Sequence, residues 1–208
     1  MDIIYSGGWN NSLPESIQNS FVYTYADYIK EMVSSGKKAV FITLAKPDGY
    51  YDKLLKSACG EIEIINSKTP SPNWSLYDGL FIPGGNPAVL KKSLKNKGFQ
   101  LNKLKKTALV LGDSAGSYIL SSFFYSSPPG EKRGKKIKFL KGFNPQAKVI
   151  TIAHTNNPFY CNQTLISKVE DFARKKGLYV LKLAENEQKV LFNGKFIKVN
   201  LDQLFLKH

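Results

Sequence analysis

Short, continuously apolar runs recur along the chain and are separated by longer amphipathic or polar stretches. Runs without polar alternation are typical of strands that are buried on both faces of a sheet. We predict strands at residues 3–5, 39–44, 62–65, 79–82, 108–111, 149–152, 179–183, 189–192 and 195–199. Helices are predicted at residues 14–35, 47–55, after the Asn86-Pro87 cap, 115–120 and 163–176. This alternation predicts an α/β fold with a mostly parallel sheet flanked by helices on both faces, in a single domain covering residues 1–208.

Turn-forming residues mark two further features of the chain. Residues 126–142 are polar and basic and include Pro128-Pro129-Gly130, so this stretch is predicted to be a loop. Asn193-Gly194 lies between the last two predicted strands and indicates a tight hairpin turn.

The composition is that of a globular protein with one core: 208 residues, 42% hydrophobic and 22% charged. Its first residues lack the basic lead and long apolar stretch of a signal peptide, and no apolar run is long enough for a membrane helix. The two cysteines, Cys59 and Cys161, are too few for a disulfide scaffold and lack the spacing of a zinc site. We therefore expect a cytoplasmic protein that needs neither a membrane nor a metal or other cofactor.

A formal charge of +14 raises the question of a nucleic-acid partner. Nearly all of the 30 basic residues are lysines, and Arg133 and Arg174 are the only arginines. Proteins that recognise bases and phosphates rely on arginine, because its planar guanidinium can form two parallel hydrogen bonds where lysine offers a point charge. We interpret the charge as a solvated lysine surface and expect no nucleic acid, while a negatively charged partner remains the alternative.

The segment Gly112-Asp113-Ser114-Ala115-Gly116 fits the G-x-S-x-G pattern between a predicted strand and a predicted helix. In that context the pattern indicates a nucleophile elbow, a sharp turn that presents a serine and in which larger residues at the glycine positions would clash. The helix that follows offers an N–H group to an oxyanion. Ser114 is therefore the predicted nucleophile, and a purely structural turn is the alternative.

His154 is the predicted base. Of the two histidines, His208 is the last residue, whereas His154 follows a predicted strand and should emerge at the same sheet edge as Ser114. A triad also needs a carboxylate that orients the imidazole. Glu185 follows the next predicted strand and is our choice, with Glu187 as its nearest competitor.

A second turn, Pro83-Gly84-Gly85-Asn86, ends another buried strand. A glycine pair there can direct backbone N–H groups toward a substrate oxygen, although a plain strand-to-helix turn explains it equally well. Ser6-Gly7-Gly8-Trp9 ends the first strand in a similar way, and the sequence assigns no role to it.

The order of these landmarks, from the Gly84-Gly85-Asn86 turn through the S-A-G of the elbow to His154, resembles the dipeptidase E and cyanophycinase family of serine peptidases. The resemblance implies a class I glutamine amidotransferase-like fold with Ser114 as nucleophile and His154 as base. It further implies that Gly85 and Ala115 donate the N–H groups of the oxyanion hole and that Glu185 matches the family's late glutamate.

Two segments differ from the family pattern. An aspartate about fifteen residues after the serine has been considered for the triad in this family, and here Glu131 is the only acid near that position. Aspartyl dipeptidases of the family also use an arginine shortly after the histidine region to bind a substrate carboxylate. The corresponding residues 161–165 include no arginine, so strict aspartate specificity is not implied for this chain.

We therefore expect a serine peptidase that cleaves dipeptides or small peptides through an acyl-enzyme on Ser114, acting as a monomer or a homodimer. Two alternatives stay open: an esterase or amidase that uses the same residues on other substrates, and an inactive member of the fold that binds a small molecule.

Overall fold

The alternation of strands and helices is present in the computed structural model, which describes residues 1–8, 20–60, 62–127, 136–192 and 195–198. The predicted α/β class, with mostly parallel strands flanked by helices, is confirmed. The strands are numbered in chain order: β1 (Asp2–Ser6), β2 (Ala39–Ile42), β3 (Glu63–Ile65), β4 (Gly79–Ile82), β5 (Leu109–Asp113), β6 (Phe123–Ser126), β7 (Lys138–Lys141), β8 (Val149–Ile152), β9 (Tyr179–Lys182), β10 (Gln188–Phe192) and β11 (Lys195–Lys198).

The larger sheet has seven strands in the order β11-β10-β1-β5-β4-β2-β3. Strands β1, β5, β4, β2 and β3 are mutually parallel, whereas β10 and β11 add an antiparallel pair next to β1. The predicted Asn193-Gly194 turn lies outside the described residues, but Phe192 and Lys195 on either side of it pair as hairpin neighbours. Because β1, β4 and β5 are parallel, their carboxyl ends meet at one edge of this sheet.

A second sheet of four strands, in the order β7-β6-β8-β9, was not predicted. It divides the parallel strands between two sheets, and its strand β7 occupies part of the segment predicted to be a loop at 126–142. The loop prediction was wrong there because β7 is an edge strand with the sequence Lys138-Phe139-Leu140-Lys141 and largely exposed side chains. Lysines are common on edge strands, where they prevent pairing with other chains. Here they leave only two apolar residues in the strand, too few for the apolar run by which the other strands were predicted.

Five helices accompany the sheets in the described residues: α1 (Ser20–Ser34), α2 (Asp52–Cys59), α3 (Pro87–Asn96), α4 (Ala115–Ile119) and α5 (Gln163–Lys176). The cap predicted for α3 is present, because the Asn86 side chain accepts hydrogen bonds from the N–H groups of Ala88 and Val89 at 3.0 and 3.1 Å. Helix α2 begins five residues later than predicted, at Asp52 instead of Pro47, and residues 14–19 of the predicted first helix lie outside the described residues.

The core lies on both faces of the larger sheet. On one face, Ile4, Phe41 and Phe81 pack against α1 and α2. On the other face, alternate residues such as Tyr5 and Val110 pack against α3, α4 and the smaller sheet. The continuously apolar strands are thus covered on both sides, as their sequence predicted. None of the helices in the described part of the chain combines the length and apolar character that a bilayer crossing requires.

Candidate active site

Ser114 occupies the sharp turn between β5 and α4. Its backbone has φ 47° and ψ −103°, a conformation that non-glycine residues rarely adopt. The turn is held because the Ser114 N–H donates to Ser6 O at 3.0 Å. A Cβ on Gly112 would lie 2.6 Å from the carbonyl carbon of Gly116, and one on Gly116 would lie 2.1 Å from Ile82 O. Both glycines of the G-x-S-x-G pattern are therefore required sterically.

His154 follows β8, and its ring points at Ser114. The distance from Nε2 to Ser114 Oγ is 3.0 Å, and the imidazole is nearly buried. Its backbone has φ 57°, and its N–H donates to Gly7 O at 2.8 Å, which fixes the residue against the end of β1.

Glu185 lies on the other side of the imidazole, with Oε1 2.8 Å from His154 Nδ1. The carboxylate is almost fully buried, with 4% of the side chain exposed. When Nδ1 donates to this carboxylate, Nε2 has no proton and can accept the one on Ser114 Oγ. The structure therefore brings the three predicted side chains into one hydrogen-bonded line.

Glu187, the nearest competing carboxylate, is not in that line. Glu187 accepts from the Ala184 N–H at 2.9 Å and pairs with Lys189 at 3.0 Å. Partial burial alone would raise the pKa of Glu187, but the Ala184 N–H and the Lys189 ammonium outweigh it and hold that pKa below its usual value. Glu131 lies outside the described residues.

Two asparagines that the sequence reasoning missed hold Glu185. Asn157 Nδ2 donates to Glu185 Oε1 at 2.8 Å, and the Glu185 N–H donates to Asn156 Oδ1 at 2.8 Å. Their position two and three residues after His154 was the only signal in the sequence. The Asn157 contact spans 28 residues, so no local pattern predicts it.

The end of β1, which had no assigned role, links the parts of the site. The Gly7 N–H donates to Glu187 O at 2.9 Å, and Gly8 O accepts from the Asn186 N–H at 3.1 Å. Gly8 has φ 92°, and a Cβ there would lie 2.3 Å from His154 Nε2. The imidazole can occupy its position only because residue 8 has no side chain. The glycine pair directly after a buried strand was the available signal.

Asp113 is a buried carboxyl directly before Ser114 that the sequence reasoning did not assign. Ser6 Oγ donates to its Oδ1 at 2.6 Å. Burial raises the pKa of Asp113 to about 7, an effect that hydrogen bonds from the Ser6 hydroxyl and the Gly8 N–H partly offset. Asp113 thus supports the turn and the end of β1 at the same time.

Of the two residues expected to donate to an oxyanion, Ala115 is adjacent to Ser114 and Gly85 belongs to the turn after β4. Ala115 follows Ser114 at the first position of α4 and is buried. The turn after β4 passes close by, since a Cβ on Gly84 would lie 3.5 Å from Ser114 Cβ. Gly85 comes next with φ 140°, and a Cβ there would lie 2.7 Å from Ala45 Cβ, so this position also requires glycine. No group of three or more His, Cys, Asp or Glu in the described residues is placed to hold a metal ion.

Comparisons with known proteins give a fold but no family. No protein-family model matches the sequence, and no curated protein matches it. The chain is similar in structure to a crystal structure of a "Putative Peptidase E" protein from Listeria monocytogenes EGD-e, with a TM-score of 0.60 and 17% sequence identity. The superposition covers 96% of this chain and 98% of that chain. At this level of identity the likeness establishes a shared fold over the whole length.

Proposed function

We propose that this chain is a serine hydrolase that cleaves dipeptides or other small peptides through an acyl-enzyme on Ser114. One observation carries the proposal: Ser114 Oγ, His154 and Glu185 form a hydrogen-bonded line with distances of 3.0 and 2.8 Å, at a strained strand-to-helix turn. Peptides are the preferred substrate class because the similarly folded Listeria protein bears the name peptidase E.

In the proposed reaction His154 Nε2 takes the proton from Ser114 Oγ while that oxygen attacks the substrate carbonyl carbon. The buried Glu185 carboxylate stabilises the imidazolium that forms and keeps the ring in the productive tautomer. The N–H groups of Gly85 and Ala115 would stabilise the negative oxygen of the tetrahedral intermediate.

Collapse of the intermediate breaks the bond to the amine, and His154 returns the proton to that leaving group. Water then enters, gives a proton to His154 and attacks the acyl carbon. The bond to Ser114 Oγ breaks, His154 returns the proton to that oxygen, and the acyl group leaves as a carboxylic acid. Because these side chains supply the nucleophile, the base and the orienting charge, the proposed reaction needs no cofactor.

The test combines covalent labelling with a substrate screen. A fluorophosphonate probe should label the wild type on Ser114, located by mass spectrometry, and should not label Ser114→Ala. A parallel screen of dipeptides, isoaspartyl peptides and simple esters identifies the acyl group. Turnover of esters alone would favour the esterase alternative, and absence of labelling would favour an inactive binding protein.

A further inference from the structure

Two aromatic rings extend from His154 toward solvent. The Tyr160 ring stacks on the imidazole, with centroids 4.4 Å apart and an angle of 26° between the planes. The Phe159 ring meets Tyr160 edge-on, with centroids 5.0 Å apart, and 73% of Phe159 is exposed. We call these two rings the aromatic ledge. Phe159 is thus a large, exposed apolar side chain that is separated from the proposed base by one ring.

The aromatic ledge is tied to the same residues that hold the imidazole. The Phe159 N–H donates to Asn157 Oδ1 at 3.0 Å, and the Tyr160 N–H donates to Asn157 O at 3.0 Å. The amide of the same Asn157 donates to Glu185. Asn157 therefore binds the backbone of Phe159 and Tyr160 through its two oxygens and Glu185 through its side-chain N–H, and these bonds fix the aromatic ledge relative to His154.

The chain around the aromatic ledge is uncharged. Residues 149–167 include no Asp, Glu, Lys or Arg, although such residues make up 22% of the protein and its net charge is +14. The side chains of this segment offer no ion pair to a substrate. An exposed aromatic surface on an uncharged segment favours an apolar or aromatic group, which gains both buried area and ring contacts.

The position next to His154 indicates which part of a peptide would contact the aromatic ledge. In a serine hydrolase the imidazole gives its proton to the leaving amine, so the leaving residue lies beside the base. Tyr160 lies between the imidazole and Phe159, with centroid separations of 4.4 and 5.0 Å. A long side chain on the leaving residue would therefore meet Tyr160 first and Phe159 next, whereas a short one would not extend to Phe159.

We propose that the aromatic ledge binds the leaving residue of the substrate and selects an uncharged, apolar or aromatic side chain at that position. This inference rests on the proposed peptidase function. It adds a specificity that depends on Phe159 and that neither Ser114 nor His154 supplies.

The experiment measures kcat/KM for two dipeptide series, Asp-X and Ala-X, in which X is Phe, Leu, Gly, Lys or Glu. The wild type should prefer Phe and Leu. Phe159→Ser should lower kcat/KM for these two by about three- to tenfold and leave Gly unchanged, since only large apolar groups reach the ring. Phe159→Leu should keep most of the preference. Leu76→Ser is the matched control, because Leu76 is also exposed (49%) and belongs to a separate short helical turn.

The outcomes separate this inference from the proposed function. If the fluorophosphonate fails to label Ser114, the proposed function is wrong, and so is the ledge proposal that rests on it. If Ser114 is labelled but no dipeptide is cleaved, the peptidase assignment and the ledge proposal are both overturned, and the esterase alternative is favoured. If dipeptides are cleaved and the wild type does not distinguish the five leaving residues, the ledge proposal alone is overturned. An equal loss on all five peptides in Phe159→Ser would also overturn it, because that result indicates damage to the site and not a lost side-chain contact.

Discussion

At the scale of single residues, two of the three side chains of the candidate site, Ser114 and His154, are on backbone with an unusual conformation. Ser114 and His154 both have positive φ, at 47° and 57°, and Glu185 is followed by Asn186 at 63°. Non-glycine residues are held in this region only when the surroundings determine their conformation. Such conformations cluster at functional sites, and here they occur at the two residues whose side chains meet, Ser114 and His154.

We expect Ser114→Ala to abolish turnover and leave the fold intact. Alanine has the same Cβ as serine and fits the turn, so the backbone strain is unchanged. Loss of the nucleophile should reduce kcat by several orders of magnitude. Steady-state kinetics and a thermal melt check both parts. Retained activity with normal stability would contradict the assignment of Ser114.

Glu185→Gln should lower kcat/KM by about three orders of magnitude. The amide can donate to His154 Nδ1, which would leave the proton on Nε2 and make the ring unable to accept from Ser114. It also removes the charge that stabilises the imidazolium. Glu187→Gln is the matched control: it keeps an oxygen for the Ala184 N–H and should have little effect. A larger loss in Glu187→Gln would show that the acid was misassigned.

At the scale of elements, the site is assembled from the ends of strands in two different sheets. Ser114 follows β5 of the larger sheet, whereas His154 and Glu185 follow β8 and β9 of the smaller one. The end of β1 joins them through the bonds from the His154 N–H to Gly7 O and from the Ser114 N–H to Ser6 O. The distance between Ser114 and His154 therefore depends on how the backbone at the end of β1 packs between these two residues.

Gly8→Ala should lower kcat by about a hundredfold, because the added methyl group would lie 2.3 Å from His154 Nε2 and force the ring to move. Gly36→Ala is the control for backbone strain. Its φ is similar, 76°, and a Cβ there meets nothing within 4 Å. Both variants carry a similar backbone strain, but only Gly8→Ala also clashes with the imidazole, so only Gly8→Ala should lose activity. Equal activities in the two variants would mean that Gly8 does not position the imidazole.

At the scale of the whole molecule, local pattern predicted most of the elements but neither β6 and β7 nor the arrangement of the strands in two sheets. The apolar runs 79–82 and 149–152 match β4 and β8, and they place Gly84 and His154 directly after strands. The division into two sheets was missed because it depends on β6 and β7, a short aromatic strand and a lysine-flanked edge. The contacts of Asp113, Gly8 and Asn157 were missed for the same reason, since each joins segments that meet only after the sheets have packed.

Asp113 connects the site to the stability of the whole protein. The pKa of its carboxyl is 3.8 when the group is exposed to water, as in the unfolded chain, and about 7 in the folded protein, because the carboxyl is buried there. Hydrogen bonds from the Ser6 hydroxyl and the Gly8 N–H offset this rise only in part. Between these two values the folded state holds a proton that the unfolded state has released. The free energy of unfolding should therefore fall as pH rises from about 4 to 7, and the contribution should be fully lost above 7. Tyr25 and Tyr51 face this carboxyl and stay neutral throughout, because burial raises their pKa values further.

Asp113→Asn should remove this slope, because an amide does not titrate and still offers an oxygen to the Ser6 hydroxyl. Denaturant titrations of both proteins at pH 4.5, 6 and 7.5 give the free energy of unfolding of each. Subtracting the wild-type value from the variant value at each pH removes the contribution of His154 and of every other titrating group that the two proteins share. The result should rise by a few kcal/mol from pH 4.5 to 7.5, since one pKa unit is about 1.4 kcal/mol. Parallel curves would mean that Asp113 is already ionised in the folded protein. In that case the turn would present a negative charge beside Ser114, which would oppose formation of an oxyanion there.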